Sequence, residues 1–160
     1  MREGGTQGMT LLFILFGALG CISDAPHSLG KDIADLAPCP DSPNCISSLS
    51  KDPRHAMPPL PYTTSGRESM DRLVQIVQGM NRATIVSAAP TYLHVEFRSA
   101  IFRFVDDVEF VLDDTARVIH FRSASRTGWY DFGVNRRRMA QISDHYLDYL
   151  NEKESEKKRP

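Results

Sequence analysis

From residue 63 onward the hydrophobic positions change period several times, and each change marks an element. Met70, Leu73, Val74 and Val77 recur at helical spacing behind Ser65 and Glu68, which have capping-box spacing, and Gly79 supplies a stop. The stretch ATIVSAA, closed by Pro90, is a short β candidate. In YLHVEFRS the alternation is clean: Leu93, Val95 and Phe97 take one face, and His94, Glu96 and Arg98 the other. FRFVDDVEFVL sets Phe102, Phe104, Val108, Phe110 and Leu112 on one face, with Asp106 as the exception and Arg103, Asp107 and Glu109 opposite. After the turn DDTA, RVIHFRSAS alternates Ile119 and Phe121 against His120 and Arg122. SRTGWYDFGV reads as loop. A second helix is predicted over 135–150, capped by Asn135, with Met139, Ile142, Tyr146 and Tyr149 as its stripe. NEKESEKKRP is expected to be a solvated, disordered tail, residues 151–160.

Short connections between strands imply antiparallel pairing. One apolar face per strand and one apolar stripe per helix imply an α+β, two-layer sandwich over residues 63–150. It is expected to hold an antiparallel sheet of about four strands with two helices on one face. The other face, with Glu96, Arg98, Arg103, Asp107, Glu109, His120 and Arg122, is expected to be solvated and laced with salt bridges; a binding face for a charged ligand is the alternative.

The N-terminus adds an address. TLLFILFGALGC is an apolar run too short for a full membrane span and fits a signal peptide, residues 1–20. Its ending, ALGC, resembles the lipobox of bacterial lipoproteins. That resemblance implies lipidation at Cys21, with acyl chains such as palmitate. Ile22 rather than Asp behind the Cys implies an anchor on the periplasmic face of the outer membrane. An uncleaved N-terminal anchor is the alternative. Residues 21–62, rich in Pro, Ser and Asp, read as a tether and wrap. Cys39 and Cys45, with turn formers between them, are expected to form a disulfide staple in an oxidising compartment, a metal or redox pair being the alternative.

With 19 Lys and Arg against 20 Asp and Glu, the chain carries no global charge to drive nucleic-acid binding, so any electrostatic function is local. The local cluster is FRSASRTGWYDFGVNRRR, residues 121–138. Arg136, Arg137 and Arg138 fall in the first turn of a predicted helix, where cations oppose the helix dipole. Either Asp106, Asp107, Glu109 or Asp131 offsets them, or a phosphate or carboxylate does. On the second reading the ligand-binding residues are Arg98, Arg103, Arg122, Arg126, Trp129, Asn135 and Arg136.

Three stretches, CPDSPNCISS, EFRSAIFRFVDDVEF and IHFRSASRTGWYDFGVNRRR, together resemble the domain of unknown function 1499 family across about residues 39–150. No biochemical activity is established for that family, so the resemblance carries none over to this chain. Trp129 and Tyr130 stand where members usually have a small or polar pair, which makes a site in this loop more apolar here. Ser123, Ser125, His120 and Asp131 show no recognised catalytic spacing, so the expected role is non-catalytic, with no cofactor, no metal and no nucleic acid: binding an anionic small molecule, a lipid headgroup or an envelope protein. A hydrolase using His120 with Ser123 or Ser125 is the enzymatic alternative, although no Gly-x-Ser-x-Gly elbow is present. A purely structural envelope protein is the third.

Overall fold

A computed structural model describes residues 32–63 and 65–159. The expected signal peptide and Cys21 lie outside the described residues. A 3-10 turn, Ile33–Asp35, opens the described chain. It is followed by β1 (Cys45–Ser47), β2 (Leu60–Pro61), α1 (Gly66–Gln78), β3 (Ala83–Ala89), β4 (Tyr92–Arg98), β5 (Val105–Asp113), β6 (Val118–Ser125) and α2 (Val134–Lys157). The α+β class holds, but among the described residues the sheet has six strands rather than about four, in the order β1-β6-β5-β4-β3 with β2 also on β6. The four strands legible from alternation form an antiparallel meander. The two additions are too short to show a period. Cys45 pairs with Ala124 and Leu60 with Ile119, so both lie along the outer edge of β6.

Helix α1 begins as the capping box requires, with Ser65 Oγ accepting the Glu68 N–H at 3.1 Å, and it stops at Gly79. It buries Met70, Leu73 and Val77. Helix α2 buries Met139, Ile142, Tyr146 and Leu150. Both stripes face Leu93, Val95, Phe97, Val108, Phe110, Ile119 and Phe121, the inward face of the sheet. Two expectations about helix ends change. Asn135 does not hold the N-cap position: Gly133 does, at φ +74°, where a residue with a Cβ is strained. Residues 151–157 are not a disordered tail. They continue α2, with Lys153–Glu156 and Lys158–Glu154 pairs at helical spacing.

Phe102 and Phe104 also depart from the inward face. The β4–β5 pairing ends at Arg98–Val105, and Ser99 N–H donates to the Phe104 carbonyl at 2.9 Å, so residues 99–104 form the turn. Both rings are exposed, and Arg103 sits at φ +54° with no strand face to project from.

The outward face is not solvated either. Ile33 and Leu36 pack against Tyr92 and Val111 there, and His94, Asp107 and Glu109 are buried with them. The segment expected to be a tether thus lies partly against the sheet. The disulfide Cys39–Cys45, with Cα atoms 5.6 Å apart, ties it to β1.

Candidate functional site

The loop between β6 and α2 is organised by two short polar side chains. Asp131 caps α2, its carboxylate accepting the N–H groups of Gly133 at 2.8 Å and Asn135 at 2.9 Å. Asn135 is fully buried. Its Oδ1 accepts from Ser123 Oγ at 2.5 Å and from Arg138 Nη1 at 2.8 Å. Its Nδ2 faces the Asn44 carbonyl, Ser125 Oγ and Asp131 Oδ2 at 3.1, 3.1 and 2.9 Å. Asn44 in turn donates from Nδ2 to the Gly128 carbonyl at 2.6 Å. The cysteine loop and the arginine loop, 84 residues apart in sequence, are therefore one polar knot.

The arginines at the helix start have protein partners. Arg136 donates to the carbonyls of Arg54 and Ala56 at 2.8 and 3.2 Å, and Arg137 to that of Phe132 at 2.8 Å. Arg138 pairs with Asp106 at 2.6 Å and stacks over the Phe97 ring at 4.5 Å. This explains Asp106, the one acid among inward-facing positions. These contacts offset the cation–dipole repulsion, about 0.3–1 kcal/mol per exposed residue.

On the outward face, Arg126 grips Asp107 with both ends of its fork, Nε to Oδ2 at 2.8 Å and Nη2 to Oδ1 at 2.7 Å, and also reaches Glu96. His94 Nε2 meets the same Asp107 Oδ1 at 2.7 Å. Burial works against ionisation of Asp107, but the hydrogen bonds from Arg126 and His94 outweigh it and hold the carboxyl below its ordinary value. Arg126 is held above its ordinary range, chiefly by its bonds to Asp107. Glu109 differs: burial pushes it up, opposed by a bond from Tyr92 and by the Arg122 charge. Arg122 Nη1 stays 4.0 Å from that carboxylate, and burial pushes Arg122 down. Its Nε has no hydrogen-bond partner among the described residues.

The structure thus separates the residues expected to act together. Arg122 and Arg126 belong to the outward face and Asn135 to the knot, while Arg136 reaches the carbonyls of Arg54 and Ala56. Arg103 lies exposed in the 99–104 turn and Trp129 is exposed in its loop. Arg98 pairs with Glu96 at 2.9 Å and remains half exposed. It also borders a groove of about 850 Å³ between α1, α2 and the ends of β3 and β4. Ile76, Met80 and Phe97 give this groove apolar lining. Arg82, Arg98 and Arg138 line it along with Arg72, and Asp148 and Glu152 lie along α2. Arg82, which sequence reasoning missed, has an exposed side chain with no hydrogen bond or ion pair among the described residues, while its backbone carbonyl accepts the Arg98 N–H at 3.1 Å. It sits just before β3, where no alternation singles it out.

His120 does not meet Ser123 or Ser125, which point to the opposite face of β6. Instead its Nδ1 lies 3.1 Å from Ser48 Oγ, and its Nε2 lies 3.8 Å from Asp113. Ser48 Oγ accepts the Phe121 N–H at 2.9 Å, so this oxygen helps stitch the chain after β1 to β6. None of the three lines the groove. Among the described residues no helix is long and apolar enough to cross a membrane.

Fold and site together define a small α+β domain, braced by buried ion pairs and carrying a groove lined by apolar, basic and acidic side chains. The chain belongs to the DUF1499 family, described as a protein of unknown function, whose model matches residues 35–145. Comparison with curated proteins and with solved structures finds no match.

Proposed function

We infer that the chain is a non-catalytic binding domain of the bacterial cell envelope, held by lipid at Cys21 to the periplasmic face of the outer membrane. Its ligand is an anionic amphiphile, a phosphate or carboxylate headgroup on an apolar body, seated in the groove between α1 and α2. The observation that carries this reading is Arg82 and Arg98 beside Ile76, Met80 and Phe97 in one groove. A partnerless guanidinium beside apolar surface suits such a molecule. The acids Asp148 and Glu152 favour placement of the headgroup at the Arg82 end. Support for the envelope address is the apolar run ending at Cys21, together with a disulfide suited to an oxidising compartment.

Thermal-shift titration tests the reading, with inorganic phosphate, a short-chain phosphatidic acid and a medium-chain fatty acid as probes. At one hundred times Kd a bound ligand adds about 2.7 kcal/mol of stability. The amphiphiles should raise Tm more than phosphate does. Arg82→Ala and Arg98→Ala should abolish the response while leaving the ligand-free Tm almost unchanged. Absence of any response from the wild type removes the groove as a binding site.

A further inference from the structure

Two loops at one end of the sheet carry apolar side chains that nothing in the fold uses. In the 99–104 turn Ile101 and Phe102 are 82% and 74% exposed, and Phe104 stacks on Phe102. In the β6–α2 loop Trp129 and Phe132 are 69% and 77% exposed, and Tyr130 meets Phe132 edge to face. The loops share this end because β4 runs into the first and β6 into the second, and Arg126 N–H donates to the Val105 carbonyl where they diverge. Isolated exposed hydrophobics are ordinary, but six on two neighbouring tips are an interaction surface.

We propose that this end docks on an anionic phospholipid surface, with the aromatic and Ile101 side chains at the headgroup level. The charge around the tips selects that occupant. The Arg103 side chain stands exposed in the first loop with no hydrogen bond or ion pair among the described residues, and the Arg137 guanidinium lies against the second, donating to the Phe132 carbonyl. The only acid within either loop, Asp131, has both oxygens taken by backbone N–H groups of α2. Trp and Tyr prefer the membrane interface, and each nearby Arg adds attraction to anionic headgroups. The tether allows the pose. The described chain begins against Tyr92 and Val111, the far end of β4 and β5 from the tips. A strand of seven residues spans roughly 20 Å, while the chain from Cys21 to Asp32 reaches up to about 40 Å when extended. The surface rests on exposed tips and not on the groove, so it stands if the groove proves empty.

Trp129 is the only tryptophan in the chain and reports on the contact directly. The full-length protein is reconstituted in vesicles of phosphatidylcholine alone, or with phosphatidylglycerol, each with and without brominated acyl chains. Expected are a blue-shifted Trp129 emission and bromine quenching in the anionic vesicles, both weak in the neutral ones. Phe102→Ser with Phe132→Ser, two exposed positions, should reduce the quenched fraction at least tenfold at unchanged Tm, since each removes a ring that only the lipid contact buries. Arg103→Glu should remove the preference for anionic lipid. Arg98→Ala, which tests the groove, should leave quenching in place. The proposal is overturned if Trp129 in anionic vesicles stays red-shifted and fully open to aqueous iodide. A blue shift without lipid that grows with protein concentration overturns it too, assigning the tips to a second copy of the chain.

Discussion

Replacing Arg126 by Met separates a structural arginine from a ligand-binding one. The guanidinium side chain is 6% exposed and makes two bonds to Asp107, itself 1% exposed, and a third to Glu96. Methionine fills similar space but leaves a buried carboxylate with His94 as its remaining hydrogen-bond partner. Removing one partner of a buried pair costs about 3–5 kcal/mol. For a domain of this size about 4 °C of Tm is lost per kcal/mol, so a fall of roughly 12–20 °C is expected at pH 7. The pH dependence follows from Asp107. Its folded-state pKa lies below the ordinary value, so its stabilisation is full above the unfolded pKa and lost as pH falls through the folded one. In the variant the burial penalty is less opposed and Asp107 holds its proton to higher pH. The Tm gap is therefore widest near neutrality and narrows toward pH 3. Calorimetric melts between pH 7 and pH 3 measure it, and adding Asp107→Asn to the variant should recover part of the loss. A gap below about 3 °C at pH 7 (under 1 kcal/mol), or one that does not change with pH, refutes the brace.

Three further outcomes are expected. Glu109 has a folded-state pKa raised by burial, so its contribution to stability falls as pH rises from its unfolded to its folded value; Glu109→Gln should gain on the wild type as melts move from pH 4 to pH 7, and a parallel pair of curves refutes it. Reducing Cys39–Cys45, or replacing both by Ser, should cost about 2 kcal/mol in urea unfolding, and an unchanged midpoint would show that the cysteine loop is already held by Asn44. Gly133→Ala should cost about 1–2 kcal/mol, because φ is +74° and a Cβ would lie 3.2 Å from Arg137 Nη1; equal stability in urea would show that the helix start relaxes freely.

Which arginines are paired with which acids was not readable from spacing. Arg126 lies just past the end of β6 and Asp107 on β5, and Arg138 and Asp106 lie on a helix and a strand. Sequence names the residue types able to pair, but register brings particular atoms to hydrogen-bond distance. Asn135 shows the same limit. As a polar residue near a helix start it looks like a cap, yet Asp131 does the capping and Asn135 is buried among five polar partners.

What the sequence determined alone is the local alphabet of the fold. The stripe of Met70, Leu73 and Val77, the Ser65 cap and the alternation of Leu93, Val95 and Phe97 depend on neighbours within a turn or a strand, and each matches its element. The tertiary structure decided what each polar residue faces. Alternation gives Asp107 and Glu109 a side of the sheet but does not say whether water or Leu36 and its neighbours lie over that side. Burial depends on a segment some seventy residues away, and local periodicity carries no record of it. The same holds at the loop end. Phe102 and Phe104 have the spacing of core residues, but the β4–β5 turn takes them in, and that leaves their rings in solvent.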